Sequence, residues 1–405
     1  MTHSWLDSPV HHAWLTTEAL RLLDFAKASR LPEGFGSLDD EGRLPRCAIA
    51  ETLTTARMTH SFALAHIQGV PGCLGLVEHG VAALQGPLRD ADFGGWFAHP
   101  HGLHGSDKAA YLHAFVALAA SSAVVAGVSD AQALLDDAIE VIGQRFWSEE
   151  EGALRETFAR DWQQPEAYRG ANSNMHGVEA FLALADVTGN RLWLERAQRI
   201  VDRLILSQPT TDGLRVTEHF DQHWQALPDY NRDSPADGFR PYGTTPGHAF
   251  EWARLLLHLE AARQQADLSV SKGLASAAKG LFDGACRHAW QVDGAPGLVY
   301  TLDWRNRPVV RERLHWVHAE ACATAAALLR RTGEAQYERW YRCFWEFIGE
   351  HFIDRAHGSW HHELDSANRP SARIWGGKPD LYHAYQALLL PRLPLAPSLA
   401  CALAL

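Results

Sequence analysis

The chain has 405 residues, of which 46% are hydrophobic and 21% are charged, and its formal net charge is −11. This is an ordinary globular balance, and the length fits either one closed barrel or two ordinary domains. The acidic charge argues against a nucleic-acid partner, because phosphate binding calls for a basic patch.

The two ends of the chain predict a protein without membrane segments. The first ten residues, MTHSWLDSPV, lack the basic and apolar regions of a secretion signal. The apolar run from Leu388 onward is interrupted by Pro391, Pro394 and Pro397, so it cannot form a spanning helix. The six cysteines are scattered without metal-like spacing. We therefore expect a cytoplasmic protein that contacts no membrane.

Six segments in chain order begin with a polar cluster and continue as small and apolar residues. They start at Glu51, Asp107, Asn172, Gly247, His315 and Asp380. Helices that are this apolar on all sides are buried. The regular return of the pattern indicates a repeat, which decides the fold class before any motif does.

Amphipathic stretches alternate with these segments, for example LDDAIEVIGQRFW and RLWLERAQRIVDRLI. Each is followed by a segment rich in Gly, Asp and aromatic residues, such as DADFGGWFAH, which is typical of a hairpin or a long loop. Twelve alternating helices predict an all-α (α/α)6 barrel with short β-hairpins or long loops at one end, formed by residues 1–405 as a single catalytic domain. An open helical solenoid is the alternative.

The polar heads of the six inner helices would then meet around one cavity. They are Arg57 and His60; Tyr111 and His113; Asn172, Asn174 and His176; His248 and Glu251; His318 and Glu320; and Tyr382 and His383. A lone histidine on an apolar face is usually a satisfied core residue. Histidines near the start of most of the six inner helices favour a polar pocket instead.

Such a pocket has the residue types needed to move a proton between C1 and C2 of an open-chain sugar. Histidine titrates near neutral pH and can act as the base, and Arg57 could hold the developing oxyanion. The spacing of His248 and Glu251 places both on one helix face, where the carboxylate could orient an imidazole.

A metal site is the competing interpretation of so many histidines. His99, His101 and His104 form the closest cluster, followed by His361 and His362. Neither cluster has a cysteine pair or an HExxH helix, so we predict no metal. No glycine-rich phosphate loop is present in the sequence, which disfavours nucleotides and phosphosugars.

Several long stretches resemble the N-acylglucosamine 2-epimerase superfamily over almost the whole chain. They are TARM around Arg57, YRGANSNMHGVEAF around His176, the segment from EHFDQHW to GHAFEWARLLL around His248 and Glu251, VVRERLHWVHAEA, and WGGKPDLYHAYQ ending near His383. The resemblance implies the same barrel, no metal and no redox cofactor.

The resemblance also implies roles for individual residues. His383 would be the principal acid/base residue and His248 its partner, while Arg57, His176 and Glu251 would bind or polarise the substrate. The remaining expected substrate-binding residues are Asn172, Tyr111, Arg240, Trp316 and Glu320. The implied reaction is ring opening, proton abstraction from C2 to a cis-enediol, and reprotonation at C1 for a ketose or at C2 for an epimer.

Within the superfamily the matched stretches look closest to the aldose–ketose isomerase branch. We therefore expect interconversion of D-mannose and D-fructose, with D-lyxose and D-xylulose as a further pair. Relatives that act on sulfonated sugars use glutamines where this chain has His362 and Pro379, and proline offers no side-chain donor.

Four alternatives stay open at this stage. The chain could be a sulfoquinovose isomerase or a sugar 2-epimerase of the same superfamily. A glycoside hydrolase would use two of Glu251, Glu320 and Glu179. A lectin would bind sugar through Trp316, Trp375 and Arg240. The oligomeric state is also open.

Overall fold

The computed structural model describes residues 4–207 and 215–405. The first three residues of the N-terminal stretch discussed above lie outside these ranges. Within them, no helix is both long enough and apolar enough to cross a bilayer. In chain order, the α-helices of the described ranges are α1 (Pro9–Ala26), α2 (Thr52–Ile67), α3 (Leu74–Gln85), α4 (Ala110–Val125), α5 (Ala131–Val141), α6 (Ala171–Thr188), α7 (Leu192–Val201), α8 (Pro246–Gln265), α9 (Leu274–Ala289), α10 (His315–Thr332), α11 (Ala335–Phe347), α12 (Tyr382–Leu389) and α13 (Leu399–Leu403).

The strands are short and form two-stranded antiparallel pairs, β1 with β2, β3 with β6, β4 with β5, β7 with β8, β9 with β10 and β11 with β12. They are β1 (Arg30–Leu31), β2 (Gly34–Phe35), β3 (Lys108–Ala109), β4 (Trp147–Ser148), β5 (Ala153–Leu154), β6 (Thr157–Phe158), β7 (Tyr168–Gly170), β8 (His219–Asp221), β9 (Thr301–Leu302), β10 (Pro308–Val310), β11 (Arg313–Leu314) and β12 (Glu363–Leu364).

The even-numbered helices α2 to α12 form a closed inner ring. Each packs against the next, and α12 returns to pack against α2. Each of α3, α5, α7, α9 and α11 packs on the inner helix before it, and α1 packs on α12. The predicted (α/α)6 barrel is therefore confirmed, and the contact between α12 and α2 excludes an open solenoid.

Composition explains which helices are inner and which are outer. In α4, thirteen of sixteen residues are buried, and most of them are small or aliphatic. Helix α7 buries one face through Trp193, Ile200 and Val201, while Glu195 and Arg199 lie on the other side. A helix covered on all sides needs apolar residues all round, whereas a one-sided helix needs only a stripe.

Buried ion pairs fasten the hairpins to the ends of the inner helices. Lys108, next to the start of α4, contacts Asp90 at 2.8 Å, and Lys378, before α12, contacts Asp354 at 2.7 Å. Each ammonium also donates to a glycine carbonyl of the same hairpin. Because these charged groups are removed from water, each needs its hydrogen-bond partners in the protein. The paired groups hold the hairpin loops at the end of the barrel where the inner helices begin.

The short helix α13 lies at the opposite end of the ring, where it packs against α2, α4 and α6. The amide N–H of Ser398, which precedes α13, donates to Asp186 at 2.6 Å. Prolines in the C-terminal run predicted only that it could not span a membrane. The structure adds that the run closes the far end of the barrel.

Candidate active site

A cavity of about 450 Å³ opens at the end of the barrel where the inner helices begin. Eight of the ten predicted site residues line it, namely Arg57, Tyr111, Asn172, His176, His248, Glu251, Trp316 and His383. Phe239, Trp375 and His99 complete the mouth. The barrel therefore brings together side chains from all six inner helices, as the polar heads predict.

Helical register explains which head residues reach the cavity. In four inner helices the second residue after the N-terminal cap faces the cavity, namely Tyr111, Asn172, Trp316 and His383. The sixth residue after the cap also faces the cavity in three inner helices, namely Arg57, His176 and Glu251. Residues four apart differ by about 40° around an α-helix, so these two positions share a face. The fourth position points the opposite way.

Three histidines of the predicted heads do not line this cavity. His113 and His318 occupy the fourth position, and each ties a hairpin to its helix: Nε2 of His318 accepts the N–H of Leu298 at 3.0 Å, and Nδ1 donates to the carbonyl of Leu314. Asn174 serves the same purpose in α6. His60 is buried against Ser122. The head pattern therefore mixes cavity residues with structural ones.

His383 is held by a carboxylate from the neighbouring inner helix. Its Nδ1 donates to Oε1 of Glu320 at 2.9 Å, and both groups are buried. Burial lowers the pKa of His383 below the ordinary value, with Glu320 acting in the opposite direction. The carboxylate fixes the tautomer, so Nε2 is the nitrogen available as a base. Glu320 therefore acts through His383 rather than from the cavity wall.

His248 has a matching partner that the sequence did not reveal. Its Nδ1 lies 2.9 Å from Oε2 of Glu218, in the loop that leads into β8. The expectation that Glu251 orients His248 is wrong, because the hydrogen bond to its Nδ1 comes from Glu218 while Glu251 contacts His176 and Arg254. No helical spacing links positions 218 and 248, so periodicity could not find this pair.

Trp316 lies between the two histidines. Its ring centroid is 5.3 Å from that of His248 and 5.6 Å from that of His383, both at shallow tilts. Gly247 permits this position, since a Cβ there would clash with the indole ring. The indole is thus an apolar wall with one imidazole on each side, and its face suits the C–H groups of a sugar.

Glu251 lies in a buried group of charges at the cavity floor. Its Oε1 is 3.7 Å from Nδ1 of His176 and 3.6 Å from Nη2 of Arg254. Burial, and then the nearby Glu320, raise the pKa of Glu251 well above its usual value. Within the described ranges, neither of its carboxyl oxygens has a hydrogen-bond partner.

Arg57 is positioned by two hydrogen bonds, one to Asp380 at 2.9 Å and one to the hydroxyl of Tyr111 at 2.8 Å. Its guanidinium stacks over the rings of Phe115 and Tyr382. Although burial works against the charged form, Tyr111 and Asp380 keep the pKa of Arg57 above its ordinary value. A fixed cation therefore faces the cavity.

Two further polar groups complete the comparison with the predictions. Asn172 lines the cavity, and its side-chain oxygen has no hydrogen-bond partner among the described residues. Arg240 is not brought to the cavity wall. Its guanidinium forms two hydrogen bonds with Glu166, at 2.7 and 3.0 Å, and stacks over Tyr168.

The histidine-rich loop does not form a metal cluster in the described residues. His101 is exposed and contacts Glu33, while only the edge of His104 meets His99. The described part of the chain has two groups of three metal-type ligands, and both are at the cavity floor. Both contain Glu251, which is grouped with His176 and Glu179 in one and with Glu320 and His383 in the other. The absence of a functional metal stays a prediction.

Two of the three carboxylates proposed for a hydrolase, Glu320 and Glu179, have other partners. Glu320 accepts from His383 and from Arg254 at 2.9 Å, and Glu179 accepts from the hydroxyl of Tyr382 and from Gln386. A hydrolase needs one carboxyl group free as an acid and another as a base or nucleophile across the scissile bond. These contacts disfavour that chemistry.

Comparison with known proteins agrees with this geometry. The N-acylglucosamine 2-epimerase (GlcNAc 2-epimerase) family matches residues 34–387. A D-mannose isomerase of Pseudomonas cannabina pv. alisalensis is 66% identical over 402 residues, covering 99% of this chain and 97% of that protein. A D-mannose isomerase of Thermobifida fusca is 51% identical over 406 residues, covering 99% and 98%.

A solved structure points the same way. The crystal structure of a D-mannose isomerase superposes with a TM-score of 0.87 at 28% identity, covering 95% of this chain and 99% of that one. Family, sequence relatives and fold therefore agree over nearly the full length. This chain is an isomerase that belongs to the N-acylglucosamine 2-epimerase family.

Proposed function

We propose that this enzyme interconverts D-mannose and D-fructose, with D-lyxose and D-xylulose as a second pair, by proton transfer through a cis-enediol. One observation carries the proposal. His248 and His383 face one cavity from either side of Trp316, and each has a buried carboxylate on its Nδ1. Two oriented bases around one apolar wall suit proton transfer at neighbouring carbons.

The two histidines have distinct tasks in this proposal. His383 takes the proton from C2 of the open-chain aldose and returns it to C1, which moves the carbonyl group from C1 to C2. His248 exchanges protons with the sugar oxygens during ring opening and enediol formation. An imidazole oriented by a carboxylate can both accept and donate a proton at neutral pH.

Arg57 supports the same chemistry from the opposite wall. Negative charge develops on the sugar oxygens as the C2 proton leaves, and a fixed guanidinium stabilises it without reorganisation. Asp380 and Tyr111 hold this cation in place before substrate arrives. Asn172 and His176 lie on the same wall and can bind the remaining hydroxyls.

Two independent lines support an unmodified hexose as the substrate. The relatives with 66% and 51% identity are both D-mannose isomerases. The cavity wall includes His362 and Pro379, which the family resemblance matches to glutamines of relatives that act on sulfonated sugars. Proline has neither a side-chain donor nor an N–H with which to hold a sulfonate.

Product analysis tests the proposal directly. EDTA-treated protein is incubated with D-mannose in deuterated water, and products are identified by NMR spectroscopy. We expect fructose as the product. The fraction of fructose that carries deuterium at C1 measures how often the base exchanges the abstracted proton with solvent before returning it. The same panel includes D-lyxose, D-glucose and sulfoquinovose.

The panel separates the alternatives. Glucose formed from mannose faster than fructose would identify a 2-epimerase, and faster turnover of sulfoquinovose than of mannose would identify a sulfosugar isomerase. No ketose from any aldohexose would overturn the proposal. Loss of activity on EDTA treatment, restored by a metal, would contradict its metal-independent chemistry.

A further inference from the structure

The floor of the cavity contains an acidic group that the proposed reaction does not explain. Nδ1 of His176 lies 3.4 Å from Oε2 of Glu179 and 3.7 Å from Oε1 of Glu251. All three side chains are more than nine-tenths buried. We refer to His176, Glu179 and Glu251 as the floor triad.

Glu251 supplies the observation that points to a missing ligand. It is 1% exposed, and neither carboxyl oxygen has a hydrogen-bond partner in the part of the chain that the structure describes. A buried carboxylate without partners is costly unless something binds it. Glu251 also lines the cavity, so the floor triad lies directly beneath the space that the sugar would enter.

The spacing of the floor triad is close to the ligand separation around a tetrahedral cation. Ligand atoms about 2.0–2.2 Å from zinc in tetrahedral geometry are separated by roughly 3.4 Å. The distances from His176 to the two carboxyl groups are 3.4 and 3.7 Å, close to this separation, and the shorter contact is a long hydrogen bond. An imidazole and two carboxylates are suitable zinc ligands.

The surroundings of the triad support its ligands from outside. Glu179 accepts from the hydroxyl of Tyr382 and from Gln386 at 3.3 Å, the kind of outer contact that orients metal-binding carboxylates. The neighbouring cation, Arg254, donates from Nε to Glu320 at 2.9 Å and lies 3.6 Å from Glu251. Arg254 is therefore shared between these two carboxyl groups.

We propose that the floor triad binds a divalent cation of the zinc type, with its fourth position open to the cavity, and that this ion inhibits the enzyme by competing with the sugar. The inhibition rests on the proposed function, whereas the binding does not. The ion would occupy His176, which binds a sugar hydroxyl in the proposed function, and would block the cavity beside Glu251. It is therefore a reversible blocker and not a cofactor.

Calorimetric titration of EDTA-treated protein with ZnCl₂, without sugar, tests the site. We expect one ion per chain, and Glu251→Gln should weaken zinc binding at least tenfold because an amide is a poor ligand. The matched control is His101→Ala in the exposed histidine-rich loop, which should leave the affinity unchanged. Kinetics with mannose should show zinc raising KM without lowering kcat.

Each outcome bears on the proposal. Unchanged affinity in Glu251→Gln, loss of binding in His101→Ala, or no binding at millimolar zinc would overturn the site. If Glu251→Gln does not fold, anomalous scattering from zinc-soaked crystals of the unchanged chain locates the ion. Anomalous density only at places other than the floor triad would also overturn the site. If zinc binds but mannose gives no ketose, the proposed function fails and the site stands.

Discussion

Nδ1 of His248 lies 2.9 Å from Oε2 of Glu218, a residue 30 positions earlier in the chain. The other carboxyl oxygen of Glu218 accepts the amide N–H of Thr245 at the start of α8, at 3.3 Å. The carboxylate is therefore fixed by the same helix end that carries the histidine. This arrangement repeats the pairing of Glu320 with His383, so both bases have equivalent support.

Replacing Glu218 by Gln should lower kcat by about 10²-fold, within the range that acid/base catalysis contributes. The amide can still fill the space and accept a hydrogen bond, but it removes the charge that stabilises a protonated His248. KM for mannose should change little. Steady-state kinetics and thermal unfolding of the variant check this result.

Glu140→Gln, an exposed substitution on α5, is the matched control and should behave as the unchanged enzyme. Equal kcat in Glu218→Gln and in the control would show that the carboxylate has no part in catalysis. A parallel loss of stability and activity would assign Glu218 a structural role only.

His383→Ala and His248→Ala should each reduce turnover by at least about 10²-fold while leaving the fold intact. Both side chains border the cavity, so truncation enlarges an open space rather than leaving a void in the core. Mannose-to-fructose conversion and circular dichroism measure the two effects. Retained activity in His383→Ala would contradict the acid/base assignment.

His318→Asn provides a contrasting change on the same type of helix head. His318 ties the hairpin backbone to α10, and Asn174 does so in α6, so an amide can replace the imidazole. We expect the variant to lose about 1–3 kcal/mol of stability through its smaller volume and weaker contacts. The kcat of the folded protein should stay near that of the unchanged enzyme.

The same variant should change the dependence of stability on pH. Burial lowers the pKa of His318 to about 3, so below pH 6.5 the unfolded chain binds a proton that the folded protein excludes. The stability of the folded state is therefore complete above pH 6.5 and decreases as the pH falls towards the folded-state pKa. Each such histidine contributes about 1.4 kcal/mol per pH unit in this window.

Urea unfolding of both proteins from pH 6 to pH 4 measures this effect. The free energy of unfolding of His318→Asn should fall less steeply than that of the unchanged chain, by about 1.4 kcal/mol per pH unit. Equal slopes would mean that His318 is protonated in the folded protein.

Trp316→Ala should raise KM for mannose by about tenfold, because the sugar loses an apolar wall worth roughly 1–2 kcal/mol. It should also lower kcat, since the ring separates and positions His248 and His383. Trp316→Phe keeps an aromatic face and should recover most of the affinity. Equal KM values in the two variants would refute the stacking role.

The repeat was readable in the sequence because helical burial is a local property. Segments such as AYLHAFVALAASSAVV are apolar on every side, and no exposed helix could carry them. Their regular alternation with amphipathic stretches predicted the barrel, and the contact between α12 and α2 was needed to exclude an open solenoid. The polar residues at their starts were sufficient to predict a shared cavity.

The pattern of polar helix heads did not by itself separate His113 and His318 from His176 and His383, which only the family resemblance singled out. Register relative to the helix cap does separate them. Positions two and six after the cap face the axis, and position four faces the hairpin. Once the caps are known, a rotation of about 100° per residue assigns each histidine. Uncertainty of one residue in a helix start is enough to blur that distinction.

What the sequence determined by itself was the barrel, its cavity and most of the side chains at its mouth, because each follows from patterns within one helix. Only the tertiary structure decided the pairing of Glu218 with His248, the engagement of Arg240 by Glu166, and the burial of Glu251 without partners. These relationships join distant segments, and they depend on how the hairpins fold over the ring. Local periodicity contains no information about such contacts.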